Sequence, residues 1–168
     1  DRILELGCGL GIVTAIAARQ AGQDGRVRSF EANPELITAT RAFLDQHGCD
    51  NVELVHAVLV PEAEATTRSF YLAGSFAESS LLGAAGRQQR GQVTVPAMPL
   101  GTVIETFRPD VLICDIEGAE AELIPAFDAS GLRAAVIELH PDRISPDQIA
   151  GIEAALARHG LRPVSPSP

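Results

Sequence analysis

Short apolar runs alternate with helical patterns along most of this chain. Arg2 to Leu6 precedes Ile12 to Gln20, Arg26 to Glu31 precedes Pro34 to His47, and Val52 to Leu59 follows. An apolar run of strand length, then apolar positions every three to four residues, predicts βαβ units and a parallel sheet. The second half resumes the alternation with a strand over Asp110 to Asp115 and a helix from about Ala119 to Phe127. A strand over Ala134 to His140 and a helix from about Pro146 to His159 follow. Turn residues fall between these elements, at Gly22 to Gly25, Gly48 to Asn51, Ser130-Gly131 and His140-Pro141. The fold class is therefore α/β: a doubly wound, mostly parallel sheet with helices on both faces.

Val60 to Thr106 breaks the pattern, because it separates two core strands by far more than one crossover helix needs. Ser69-Phe70-Tyr71-Leu72 and Gln92-Val93-Thr94-Val95 predict two short strands. The Gly- and Ser-rich loop between them, Gly74 to Gly91, holds Ser79, Ser80, Arg87 and Arg90. An insertion of this length is expected to shape a binding site. The remainder, over 1–168, is expected to be one domain. A core strand begins at once after Asp1, and Arg162 to Pro168 begins another, so truncation at one or both ends is expected.

Composition narrows the setting. At 168 residues, 46% hydrophobic and 21% charged, the chain can bury one core and is not disordered. No apolar run approaches the ~18–20 residues of a membrane span, and the first residues lack a signal-peptide layout. Twenty-two acids against thirteen bases give a formal charge of −9, which repels phosphate backbones and anionic membranes. Nucleic acid and membrane partners are thus not expected. The bases are all Arg, with no Lys, and Ala is abundant, a bias of high-GC bacterial coding. Cys8, Cys49 and Cys114 are unclustered and fit a reducing cytoplasm better than a disulfide framework or a zinc site.

Candidate chemistry begins at Glu5-Leu6-Gly7-Cys8-Gly9-Leu10-Gly11, where the first strand turns into a helix. Glycines there let the backbone turn sharply and approach a ligand. A dinucleotide fingerprint needs Gly-x-Gly-x-x-Gly/Ala, and Ile12 occupies the third small position, which disfavours a nicotinamide-dependent oxidoreductase. A carboxylate at Glu5 repels a pyrophosphate but suits an ammonium or sulfonium group. Glu31 ends the second strand about twenty residues past the last glycine, where an acid accepts hydrogen bonds from both ribose hydroxyls. Together, the loop and the two acids point to S-adenosylmethionine.

These residues resemble the Rossmann-like, class I S-adenosylmethionine-dependent methyltransferases, and among them the FkbM family. Leu4 to Gly11 is similar to its first motif and Gly25 to Pro34 to its second strand and ribose acid. Asp115-Ile116-Glu117-Gly118-Ala119-Glu120, with the later Ile137-Glu138-Leu139-His140, is the most family-specific match; the similarity runs from Ile3 to His140. Cys114 departs from the family, which often has Lys or another residue there. The resemblance implies methyl transfer to an oxygen, typically a hydroxyl of a sugar or secondary metabolite. It also implies that Gly7, Cys8, Gly9 and Gly11 pack on the methionine part of the cofactor and that Glu5 sits near its amino group. Glu31 would hold the ribose, with Ala32 and Asn33 beside it as further cofactor-binding residues, and His56 and Ala57 would border the adenine.

The fourth core strand is expected beside the first, which brings Asp115 and Glu117 to the edge that carries the glycine loop. Methyl transfer to a hydroxyl needs alignment and a group to take the proton; Asp115, Glu117 and His140 are the candidates. Glu138 and His140, two apart on a strand, would share a face as a base and its orienting partner. Glu120 is read as complementing the dipole of a helix start. Although these side chains suit a divalent cation, no dense ligand motif supports one, and no metal is predicted. A binding module without catalysis is the alternative from a different class.

Overall fold

The computed structural model describes residues 1–62, 66–73, 81 and 89–164. Ser79, Ser80 and Arg87 of the predicted loop, and the tail beyond residue 164, lie outside the described residues. In chain order the elements are β1 (Arg2–Leu6), α1 (Ile12–Ala21), β2 (Arg26–Glu31), α2 (Pro34–Gln46) and β3 (Val52–His56). Next come β4 (Val58–Val60), β5 (Thr67–Ala73), β6 (Gln89–Pro99), α3 (Leu100–Phe107) and β7 (Val111–Cys114). The described chain closes with α4 (Glu120–Leu123), β8 (Ala134–Ile137) and α5 (Pro146–Arg158).

Five strands form a sheet in the order β3-β2-β1-β7-β8, every pairing parallel. Successive residues of β1 are buried on opposite faces, which is why its sequence reads as a nearly continuous apolar run. Ile3 packs with Val27, with Ala15, Ala17 and Ala18 of α1, and with Leu44 of α2. Leu4 and Leu6 pack on the other face with Leu112, Leu100, Val103, Ile124 and Ile152. Each such side chain contributes about 1.5–3 kcal/mol on leaving water. Helices therefore cover both faces, as the alternation predicts. No helix among the described residues is long and apolar enough to cross a membrane.

The helix ends follow local chemistry. Asn33 caps α2 by accepting from the Glu35 N–H at 3.0 Å, with Pro34 in the first turn. Ser145 and Gln148 form a reciprocal capping box at the start of α5. The Asn51 side chain donates to the carbonyls of Ala18 and Gly22, closing the end of α1.

Several predicted elements differ in detail. Val52 to Leu59 is two strands: the chain leaves the main sheet after His56, and β4 pairs with β6 in a second sheet ordered β4-β6-β5. Periodicity cannot register that change of partner. The two short strands of the insertion are longer, spanning β5 and β6, which pair antiparallel. The predicted helix from Ala119 to Phe127 is the single turn of α4 followed by a 3₁₀ turn over Ile124–Ala126, where Pro125 removes a backbone donor. The strand predicted to reach His140 stops at Ile137, opposite Cys114, where its partner β7 ends. Glu138 and His140 thus do not share a strand face. Residues 161–164 form no strand.

Two glycines are required by packing: a Cβ on Gly25 would lie 2.5 Å from the Ala21 carbonyl oxygen, and Gly7 is tighter still. Gly7 has φ +81°, and a Cβ built there would lie 1.7 Å from the Asp115 carbonyl oxygen. Gly7→Ala is expected to lose at least about 3 kcal/mol of unfolding free energy. Gly151→Ala, inside α5 with nothing within 4 Å of the new methyl, should gain about 0.5–1 kcal/mol. Urea unfolding of the two variants checks both signs.

Candidate functional site

Strand order reverses between β1 and β7, so the loops leaving their carboxyl ends diverge and open a crevice. Into it runs the glycine loop. The Phe30 carbonyl accepts from both the Gly7 and Cys8 N–H groups, and Gly11, at φ +83°, starts α1. Gly9 is held from two sides: its N–H donates to Glu31 Oε2 at 2.8 Å, and its carbonyl accepts from Thr40 Oγ1 at 2.6 Å. A Cβ built on Gly9 would meet nothing within 4 Å, so the loop presents bare backbone to open space.

Both acids of the first βαβ unit are buried. Glu31 is 7% exposed; its Oε1 accepts from the Asn33 N–H at 2.7 Å while Oε2 holds Gly9. Glu5 is 1% exposed, and its Oε2 accepts from Thr14 Oγ1 and Ser29 Oγ at 2.6 and 2.5 Å. Burial pushes both carboxyls above the ordinary carboxylate range, against the hydrogen bonds that favour their charged forms. Burial also raises the Cys8 and Cys114 thiols, making them inert packing groups.

Across the crevice, the segment after β7 gathers Asp115, Glu117 and His140. His140 Nε2 lies 3.5 Å from Asp115 Oδ1 and 3.7 Å from Glu117 Oε2. Its other nitrogen, Nδ1, lies 3.0 Å from Oε1 of Glu120, which is fully buried and also accepts from the Ile116 N–H. The partner orienting His140 is therefore Glu120 rather than Glu138. Glu117 adopts φ +57° and is clamped by Arg143, whose guanidinium reaches its carbonyl at 3.1 Å and its Oε2 at 2.9 Å. Burial and the charges of Glu138 and Glu120 raise the Asp115 carboxyl, with His140 opposing them.

A cavity of about 480 Å³ joins the two sides. Glu5, Gly7, Cys8, Gly9, Glu31, Ala32, Ala57, Asp115 and Glu117 line it, with Phe30, Leu36, Leu59, Phe70 and Leu81 among the apolar walls. Gly11, Asn33, His56 and His140 are not lining residues. Gly11 starts α1, Asn33 caps α2, and His56 Nε2 sits 3.1 Å from the Ala32 carbonyl. Thr14, Ser29, Thr40 and Arg143 escaped the sequence reading. Their signal was a hydroxyl inside an apolar stretch, or a cation beyond a histidine, which alone names no partner.

This sheet order, with helices on both faces and a glycine loop and acids at the switch point, defines a Rossmann-like fold of the methyltransferase type. The family model described as "Methyltransferase FkbM domain" matches residues 11–163, and the chain belongs to that family. S-adenosylmethionine is the methyl donor of these enzymes, and nicotinamide chemistry is set aside. The precorrin-6y C5,15-methyltransferase of Geobacter metallireducens GS-15 superposes with a TM-score of 0.52 at 18% identity. That match covers 95% of this chain and 63% of that one. Cofactor-bound Rv0187 from MTB gives 0.51 at 18% identity, covering 96% and 62%. At such identities the likeness is one of fold. Protein-L-isoaspartate O-methyltransferase 2 of Archaeoglobus fulgidus is 44% identical over 55 residues, which is 33% of this chain and 25% of that protein. The chain thus spans about a quarter of the length of the curated relatives it matches.

The buried Glu5 has a measurable signature. Its folded-state value lies above 4.5, so the folded chain keeps its proton to higher pH than the unfolded chain. Stability therefore falls as pH rises from 4.5 through the folded value, and the loss is complete above it. Glu5→Gln removes this contribution. The stability of the parent minus that of Glu5→Gln, from urea unfolding at pH 4 to 8, should decline as pH rises. A flat or rising difference contradicts the assignment.

Proposed function

We propose that this chain is the core of an S-adenosylmethionine-dependent O-methyltransferase acting on a hydroxyl of a small acceptor, a sugar or secondary metabolite. The observation that carries the reading is the meeting of the Glu31-pinned glycine loop and the Asp115–Glu117 segment across one cavity. The residues present fit the cofactor. Gly9 offers open space, and the carboxylate of Glu31 keeps lone pairs beyond the two bonds it accepts from backbone. Glu5 and Glu31 give the cavity the negative potential that an ammonium and a sulfonium require. When bound, S-adenosylmethionine supplies an electrophilic methyl group on its sulfonium sulfur.

The chain's own residues have three tasks in this reading. The loop, Ala57 and Ala32 hold the donor, with Glu31 on the ribose. The apolar walls, Leu59, Phe70 and Leu81, keep water from the reacting atoms and orient the acceptor. Asp115 or His140 receives the proton that the hydroxyl gives up as its oxygen takes the methyl group, with Glu120 orienting the imidazole and Arg143 fixing Glu117. A second cavity of about 300 Å³ adjoins the first, sharing Leu59, Leu81, Ala119 and Leu123. Arg68, Ser69 and Tyr71 of β5 and Glu122 line it, a polar mouth suited to the rest of a hydroxylated acceptor. The insertion thus chooses the acceptor within a domain that spans the chain. Relatives named as O-methyltransferases support oxygen as the receiving atom. Buried free Cys8, Cys49 and Cys114 support a reducing, cytoplasmic setting.

Calorimetry with S-adenosylhomocysteine should show binding, weakened at least about ten-fold in Glu31→Ala, the loss of roughly 1.4 kcal/mol or more of hydrogen bonding. Labelled S-adenosylmethionine, incubated with a panel of hydroxylated sugars and metabolites and an isoaspartyl peptide, should mark a hydroxyl. Asp115→Asn should lower turnover more than cofactor affinity. Cofactor binding with no transfer to any acceptor supports the non-catalytic binding module instead. Transfer to the peptide alone overturns the hydroxyl assignment.

A further inference from the structure

We propose that Asp115, Glu117 and His140 form a binding site for one divalent cation at the edge of the cofactor cavity. One ligand atom from each lies within 4.8 Å of the other two. An ion bonded at about 2.0–2.2 Å holds neighbouring ligand atoms roughly 3–4 Å apart, which spans the 3.5 and 3.7 Å from His140 Nε2 to the two carboxylates.

The imidazole is set up for coordination. Nδ1 of the ring faces Glu120 Oε1, which leaves Nε2 turned toward Asp115 and Glu117. Two carboxylates and one imidazole nitrogen thus converge on one point, where a bound cation would offset the charge of the acids. Metal-bound histidines characteristically give their second nitrogen to a carboxylate in this way.

An independent observation lies behind the ring. Glu120 is fully buried, and its Oε2 has no hydrogen-bond partner among the described residues. Asp115, Glu117, Glu120 and Glu138 thus concentrate negative charge at this edge, against which His140 and Arg143 are set. The guanidinium reaches both Oε2 and the carbonyl of Glu117 and so positions that residue. Two carboxylates and one imidazole suit Mn²⁺ better than the harder Mg²⁺, which prefers oxygen alone. The Asp115 side chain is 47% exposed, so the ion would keep positions open on the solvent side. Those positions favour acceptors with two adjacent oxygens, a vicinal diol or hydroxy-carbonyl, that bind the ion together. This role in acceptor choice rests on the O-methyl-transfer reading; the binding of the ion does not.

Titrating Mn²⁺ into the chelator-treated chain, followed by electron paramagnetic resonance, tests the site without acceptor or cofactor. The expected result is one saturable Mn²⁺ per chain, weakened at least about ten-fold in Asp115→Asn and His140→Gln and more mildly in Glu120→Gln. Glu153→Gln, an exposed acid on α5, should bind as the parent does, and circular dichroism confirms folding of each variant. Should the two ligand variants fail to fold, the stoichiometry of the parent decides alone. No saturable site in the parent, or equal binding in folded Asp115→Asn and His140→Gln, overturns the proposal. Mn²⁺ bound at these residues with no acceptor methylated would sink the transfer reading and leave the cation site standing. Methyl transfer unchanged in chelator, with no Mn²⁺ site, does the reverse.

Discussion

A carboxylate removed from water must find donors, and the burial of Glu31 sets that constraint at the centre of this fold. It is met by two backbone N–H groups from different segments, Gly9 of the glycine loop and Asn33 at the start of α2. Bonds to a charged group contribute about 1.5–3 kcal/mol each, enough to hold a glycine-rich loop that would otherwise sample many conformations. Thr40 takes the Gly9 carbonyl, and the Phe30 carbonyl takes the N–H groups of Gly7 and Cys8. The loop is therefore shaped by β2 and α2 before a ligand arrives. Gly7 packs on the Asp115 carbonyl, which carries that shape across the switch point to the second cluster of acids.

The two sides of the crevice handle charge differently. On the β1–β2 side, hydroxyls and backbone N–H groups satisfy Glu5 and Glu31, and no Arg side chain joins those hydrogen bonds. On the β7 side the acids are set against one another, and His140 and Arg143 relieve only part of the repulsion. The first arrangement suits a resident cationic ligand. The second leaves groups ready to take a proton or an ion, and it sits nearer solvent, where an acceptor enters.

Much of this was legible because it is local. The apolar runs at Arg2–Leu6, Arg26–Glu31 and Val111–Cys114 are buried on both faces, so their composition alone marks parallel strands. Glycines at 7, 9 and 11 and the acid at 31 fall on strand ends, where the topology brings them together. What escaped the sequence is non-local. The partner of His140 is twenty residues upstream, at Glu120, because β8 ends three residues earlier than the predicted strand once β7 runs out. Val58–Val60 reads as a continuation of β3 but changes sheet, and Phe70 reaches the cavity only because β5 docks there. His56 Nε2 sits against the Ala32 carbonyl and Asn33 Oδ1 caps α2, while Asn33 Nδ2 is buried with no partner among the described residues.

The chain's own hydrogen bonds hold the loop in its binding shape. Crystal structures of the chain alone and with S-adenosylhomocysteine test it most directly. Residues 7–11 should superpose within about 1 Å, with the Gly9–Glu31 bond kept and a Glu31 oxygen within reach of a ribose hydroxyl. A loop that refolds on binding, or a ligand seated away from Glu31, would contradict it.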